Sequence, residues 1–323
     1  MTLARGIETG VGYGSESSFG VADTINLYTR IISETLQHIK EPFMTESLGG
    51  GWRDELYYSA GRNEGDIVVE NIYTGHELFW HGLFGTYDHT PNGGATGAHQ
   101  HVFAFVPSTN NHPSMTIQVD RGIAGTDEMK YLGMYPTKAT IEFANRQILR
   151  TTFSLIGTGY AQAAPLTSSY PTFVPILPSH KSTLEVDGAA LTILSGTIEI
   201  EVPRASDREH YGESLYKEPM IVDRPKASFS LECEYNDATG ADTQALYDEY
   251  LSETELTSGI EITMQGGSVG SGNYGFSIVG SSAYITGDSP SVQGPGIVPI
   301  TISGEIFTGL TLQLTNGTTP AVA

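Results

Sequence analysis

Short runs in which every second residue is apolar dominate this chain, a period-2 pattern that predicts half-buried strands. They include DIVVENIY (66–73), SMTIQVD (114–120), TKATIEF (137–143), RTTFSLIG (150–157), KASFSLECEY (226–235), GIEITMQ (259–265) and IVPITISG (297–304). Two segments carry helical spacing instead. In HELFWHGLFG, from His76, the residues Leu78, Phe79, Leu83 and Phe84 fall on one face of a short helix. In ADTQALYDEYLSET, Asp242 or Thr243 is placed to cap a helix that turns Leu246, Tyr247, Tyr250 and Leu251 inward.

These elements recur in the same order. A strand, a helix, a strand, a Tyr/Gly turn (Tyr131 to Gly133, Tyr274 to Gly275) and two further strands can be traced on both sides of a Pro-rich stretch. That stretch contains Pro165, Pro171, Pro175 and Pro178 and reads as a semi-extended linker. The register breaks at an insertion rich in Gly, Asn and His between Gly85 and Pro113. Upstream of each long strand lies a polar, aromatic, Arg-bearing stretch (45–66 and 203–224) that reads as a hairpin arm. The expected fold is mainly β: two tandem β-sandwich or β-barrel units, each with one short flanking helix and a long hairpin arm. Its divisions are 1–160, a linker at 161–183, and 184–323.

Composition narrows the function. The 323 residues include 16 Lys and Arg against 37 Asp and Glu, a net charge of −21. No basic stripe of a nucleic-acid binder is present. The acidity suits a solvated surface, adaptation to high salt (six lysines), or a surface that lies near DNA without sticking. No run reaches the 18 apolar residues of a membrane helix, and the N-terminal stretch lacks a secretory apolar core, so a soluble protein without a leader is expected. The single cysteine, Cys233, shares a strand face with Phe229 and Leu231 and reads as a buried structural thiol.

Signals for chemistry are weak. Six of nine histidines lie between His76 and His112, and His89, His99 and His101 could converge, but no nearby carboxylate completes a ligand pattern. Gly270, Gly272 and Gly275 match a dinucleotide spacing yet precede a strand, which predicts a hairpin turn. Asp237 and Asp242 lack the closing acid of a calcium loop. Glu199 and Glu201 share a strand face, more as solvated acids than as a glycosidase pair. No Gly-x-Ser-x-Gly elbow occurs. Asn316-Gly317-Thr318 is a glycosylation sequon only in a secreted protein. No catalytic residue, metal or cofactor is expected.

The ordered set of segments resembles one family. GIETGVGYGSESSFGVADTINLYTRIISETLQHIKEPFMTESL, then PSMTIQVDRG and YLGMYPTKATIEFANRQILRTTFSLIGTGY, is similar to the tail tube proteins of long-tailed, non-contractile phages and related archaeal viruses. The likeness covers residues 6–165 and reaches the second half through the internal repeat. The resemblance implies two packed antiparallel sheets and a flanking helix. It implies a non-enzymatic virion protein whose rings close by pairing sheet edges and stack into a tube. Two units per chain imply a trimeric ring with pseudo-sixfold symmetry, the alternative being a homohexamer. Viral DNA and the tape-measure protein would traverse the lumen unbound, with tail terminator and tail tip proteins at the ends and no membrane insertion. Trp52, Arg53, Tyr57, Tyr58, Arg62, Arg208 and Tyr211 are then the candidate stacking contacts. Glu70, Glu142, Glu199, Glu201, Glu232 and Glu234 are the candidate lumen acids. Competing readings are another virion β-protein, such as a fibre or decoration, and a carbohydrate-binding module or enzyme.

Overall fold

The computed structural model describes residues 10–44, 56–91, 97–105, 112–122, 128–167, 169–178, 182–210, 212–236, 243–287, 290 and 298–317. Among them the first half contributes β1 (Gly10–Ser15), β2 (Leu27–Thr29), β3 (Ser33–Glu34), β4 (Gln37–Ile39), β5 (Pro42–Met44) and β6 (Leu56–Tyr58). It continues with β7 (Arg62–Glu70), α1 (Glu77–Phe84), β8 (Gly85–Pro91), β9 (His99–Phe105), β10 (Met115–Asp120) and β11 (Glu128–Ala144). Then come β12 (Arg150–Gly157), β13 (Tyr160–Ala163), β14 (Ser182–Val186), β15 (Ala189–Ala190), β16 (Ile193–Glu201) and β17 (Lys226–Glu234). The last elements are α2 (Thr243–Leu251), β18 (Ile260–Val269), β19 (Gly272–Gly280), β20 (Ser282–Gly287), β21 (Pro299–Thr308) and β22 (Thr311–Asn316).

One long antiparallel sheet runs through both halves. From one edge to the other it reads β3 and β4, then β7, β12, β11, β16, β17, β21 and β20. Its inward positions alternate as the sequence pattern requires: Ile67 and Val69 on β7, Phe153 and Leu155 on β12, Ala139 and Ile141 on β11. Ile198 and Ile200 on β16, Phe229, Leu231 and Cys233 on β17, and Ile300 and Ile302 on β21 complete that face. Against it pack β2–β1–β10 with the first part of β11 and β13, and a separate seven-stranded sheet, β15–β14–β18–β19–β22–β9–β8. The core between these layers is one continuous cluster with residues from both halves.

β11 serves both layers because it is irregular at Pro136. Its first part pairs with β10 and β13, its second with β12 and β16, and the register against β12 shifts between Pro136 and Lys138. Proline lacks the N–H that a regular ladder needs, so the irregularity falls where it costs least. The pairing order of the halves is alike. β7–β12–β11 and β10–β11 in the first correspond to β17–β21–β20 and β18–β19 in the second, with α1 following β7 and α2 following β17.

Several details depart from the linear pattern. The inserted hairpin β8–β9 leaves its own half and pairs β9 with β22, the last strand. The Pro-rich stretch is pinned and not free: Ile176 is buried, its N–H donates to the Asn71 carbonyl, and its carbonyl accepts from Leu149. α1 is enclosed nearly all round, with Trp80 and Glu77 buried beside its apolar stripe. α2 turns inward less than expected. Leu246 is buried and Tyr247 and Tyr250 are half-buried, but Leu251 is 61% exposed, because among the described residues no strand covers the outer end of that helix. Gly270 lies in the β18–β19 hairpin turn, as its spacing before a strand predicted.

Gly82 marks how closely α1 seats on the β11 bend: a Cβ there would lie 2.9 Å from Pro136 Cδ and 3.1 Å from Met115 Cε. Ala gains about 1 kcal/mol in helix propensity, whereas overpacking against a rigid ring costs about 1–3 kcal/mol. Gly82→Ala is therefore expected to lower the urea midpoint, and an unchanged or higher midpoint would contradict this packing.

Candidate functional site

The long sheet has two chemically different faces because alternation stays in phase across it. Opposite the buried positions, β7 presents Glu64, Asp66 and Glu70, and the second part of β11 presents Lys138, Thr140 and Glu142. β16 presents Thr197, Glu199 and Glu201, β17 presents Ser228, Ser230, Glu232 and Glu234, and β21 presents Thr301, Ser303 and Glu305. The six acids singled out from sequence, Glu70, Glu142, Glu199, Glu201, Glu232 and Glu234, thus lie on one face of one sheet. Glu64, Asp66 and Glu305 join them; the same period-2 count, applied to every strand, would have found them.

This face is solvated and only lightly neutralised. Its cations on these strands are Arg62, Lys138, Arg150 and Lys226, all on the same side as the acids. Lys138 Nζ lies 2.8 Å from Glu199 and Arg150 Nη2 3.9 Å from Glu70, and Ser195 Oγ donates to Glu232 at 2.7 Å. Pairs this exposed add little stability. Behind Glu232, burial and that carboxylate push the Cys233 thiol up to about 12, so it stays a protonated core group.

The two arms differ. β5 and β6 form a small two-stranded hairpin with Phe43, Met44, Leu56, Tyr57 and Tyr58 exposed, and Phe43 stacked on Tyr57 at 5.7 Å. Arg62 stands at its base, bonded to Glu41 at 3.0 Å and Glu64 at 3.3 Å. Trp52, Arg53 and Tyr211 lie outside the described residues. The second arm folds back on the first half. Tyr216 N–H donates to the Gly61 carbonyl, Thr158 Oγ1 donates to the Tyr216 carbonyl at 2.6 Å, and Tyr135 OH donates to Glu218 at 2.8 Å. Arg208 is bonded there to the Glu218 carbonyl, within the arm.

A buried polar network joins the halves beneath the sheet. Asn316, at the end of β22, donates to Glu77 and to the Tyr73 carbonyl, each at 2.9 Å, and contacts His101 Nε2 at 2.9 Å. Its burial leaves the Asn316 sequon closed to modification in the folded chain. Burial holds the Glu77 carboxyl above the usual range despite hydrogen bonds that favour its charge. His89 and His99 meet across the β8–β9 hairpin at 3.0 Å, and His101 is engaged by Tyr87 and Asn316. Among the described residues, no three His, Cys, Asp or Glu side chains form a metal-holding group. No described helix is long and apolar enough to cross a membrane.

Compared with known proteins, the model of a family described as phage tail tube protein matches residues 6–306 of this chain. A search of the curated proteins finds no match.

Burial holds His76, His81 and His112 neutral, each lowered to about 4 from 6.5. The unfolded chain therefore binds more protons between these values. Stability is fully present above about pH 6.5 and is lost as pH falls toward 4. Glu77, with its raised pKa, acts in the opposite sense. Denaturation midpoints measured from pH 7 to 4.5 are expected to decline, and His81→Gln to flatten the decline; a midpoint independent of pH would contradict the burial of these imidazoles.

Proposed function

The chain belongs to the phage tail tube protein family and is a structural protein of the virion tail, and from that premise we propose that it self-assembles into stacked rings whose lumen conducts the genome. Two units, one on each side of residues 161–183, each supply half of the long sheet. Three chains then make a ring with pseudo-sixfold symmetry. The observation that carries this reading is the single acidic face of a sheet that crosses both halves, from β3 and β4 to β20. A strand edge left open exposes unpaired N–H and C=O groups, and closing a ring removes it.

The acidic face lines the lumen. Duplex DNA carries one negative charge per about 1.7 Å, and tight binding needs cations that release its counterions. Glu142, Glu199, Glu201 and Glu232 present the opposite, so DNA passes without adhering. The tape-measure protein occupies the same lumen before the genome, with terminator and tip proteins at the ends. At molar salt the Debye length falls to about 3 Å, and there the acidity serves solubility more than repulsion. The exposed aromatic hairpin, with Tyr57 and Tyr58 and with Arg62 at its base, contacts the next ring, and Trp52 and Arg53 belong to the same proposed contact. Arg208 and Tyr211 of the second arm are the further proposed stacking residues.

Electron microscopy of the purified, concentrated protein is expected to show open rings and tubes, with three chains per ring by native mass spectrometry. Six chains per ring, solid fibres or monomers at every concentration and salt would overturn the reading. Tyr57→Ser with Tyr58→Ser is expected to leave rings that do not stack. Replacing Glu142 and Glu232 by Lys is expected to make tubes retain duplex DNA in low salt, with retention lost as salt rises; equal behaviour of both proteins would remove the lumen assignment.

A further inference from the structure

The root of the second arm is a short pairing of its two ends. Arg204 lies opposite Ile221 in an antiparallel bridge. The Ala205 N–H donates to the Met220 carbonyl, and the Val222 N–H to the Pro203 carbonyl. This pairing carries the Arg204 side chain over the bend of β11. Its guanidinium carbon sits 4.3 Å from the centre of the Tyr135 ring, and its Nη1 donates to the Pro219 carbonyl at 3.0 Å. Tyr135 is itself buried and stacks on Phe19 at 5.9 Å.

The other edge of that guanidinium is unmet. Nε and Nη2 of Arg204 are closed off from solvent, and neither has a hydrogen-bond partner among the described residues. These two N–H groups point the same way in the guanidinium plane, the arrangement that grips an anion with two parallel bonds. Arg121 shows the edge in use elsewhere in this chain. Its Nε and Nη2 donate to the two oxygens of Glu34 at 2.9 and 3.1 Å. A buried donor left without an acceptor is costly, and more so when it is charged.

No neighbour supplies the missing charge. Burial pulls the Arg204 pKa down to about 10, so the group is still a cation near neutral pH. Glu218 acts on it from a distance; that residue is exposed, and its carboxylate accepts from Tyr135 OH at 2.8 Å. Burial and Glu218 hold the Tyr135 hydroxyl protonated. His112, on the other side of the β11 bend's surroundings, is kept neutral by burial and by the Arg204 charge, with its Nδ1 bonded to the Gly82 carbonyl at 2.8 Å. The Nε–Nη2 edge thus has two donors and no counter-charge. A water molecule would meet the donors and leave the charge, whereas an anion meets both. Because both atoms are enclosed, the side chain of another macromolecule does not reach them, and the occupant is small.

We propose that Nε and Nη2 of Arg204 hold a small inorganic anion, chloride in ordinary solutions, between the root of the second arm and the bend of β11. The ion fastens the arm to the first half. The edge is formed by the folded arm, so the ion binds the closed arm and stabilises it by mass action.

Three measurements at constant ionic strength test it, with chloride exchanged for the bulky anion gluconate. Opening of the arm root releases the ion, so exchange of the Ala205 and Val222 amides is expected to slow about tenfold when chloride reaches ten times its dissociation constant, and to level off as one site fills. Arg204→Lys keeps the charge and loses the two-donor edge, and is expected to lose this dependence; Arg224→Gln, an exposed cation of the same arm, is expected to keep it. Crystals grown in bromide are expected to show one anomalous-scattering peak within hydrogen-bond reach of Arg204 Nε and Nη2, a readout on the wild-type chain that stands even where Arg204→Lys does not fold. Equal exchange in chloride and gluconate, full chloride dependence in Arg204→Lys, or crystals without that bromide peak would overturn the anion site.

Discussion

The pairing of the second part of β11 with β16 is the interaction on which the rest of this molecule depends. Seven consecutive residues of β11, Lys138 to Ala144, face Glu201 to Ser195 without a register break. Each strand is thereby relieved of an open edge, whose unpaired backbone groups would otherwise need water or a foreign strand. The two halves become one sheet with a shared core, and Lys138 reaches across the joint to Glu199. The hairpin β8–β9 reinforces the joint from the other layer by adding a first-half strand to the second-half sheet.

An unbroken register has a chemical consequence. A slip of one residue at the joint would exchange inward and outward positions on one side of it. Ile141 opposite Ile198 and Thr140 opposite Glu199 keep the apolar and polar sets in phase. Carboxylates from strands more than 160 residues apart in sequence, Glu70 and Glu232 among them, therefore share one face by backbone geometry. Because the face is wet, mutual repulsion among its acids is weak, while their summed field on a polyanion is not.

Beneath that face the molecule accepts polar groups where they connect distant segments. Glu77, Asn316 and His101 satisfy one another in a site that only the convergence of α1, β9 and β22 creates. Such networks add to the definition of a fold when every member is bonded. Glu16 does the same near the start of the chain, accepting from Ser114, Thr116 and the backbone of Gly20 and Gly133.

What is periodic and local was legible from the residues alone. Alternation in KASFSLECEY put Phe229, Leu231 and Cys233 inward and Glu232 and Glu234 outward, and Gly270 before a strand meant a turn. Those outcomes follow from backbone geometry within a few residues. The common face of the six acids was not legible as a single surface, because it depends on which strand lies beside which and in what phase. The second arm read as a long hairpin because its polar residues suit water, yet Thr158 just after β12, Tyr135 on β11 and Gly61 hold it down. Leu251 read as inward from helical spacing, but a helix buries a residue only where another element covers it. Neighbourhood across long sequence separations was decided by the tertiary structure alone, since pairing energies depend on edges and shapes that no local window of residues contains.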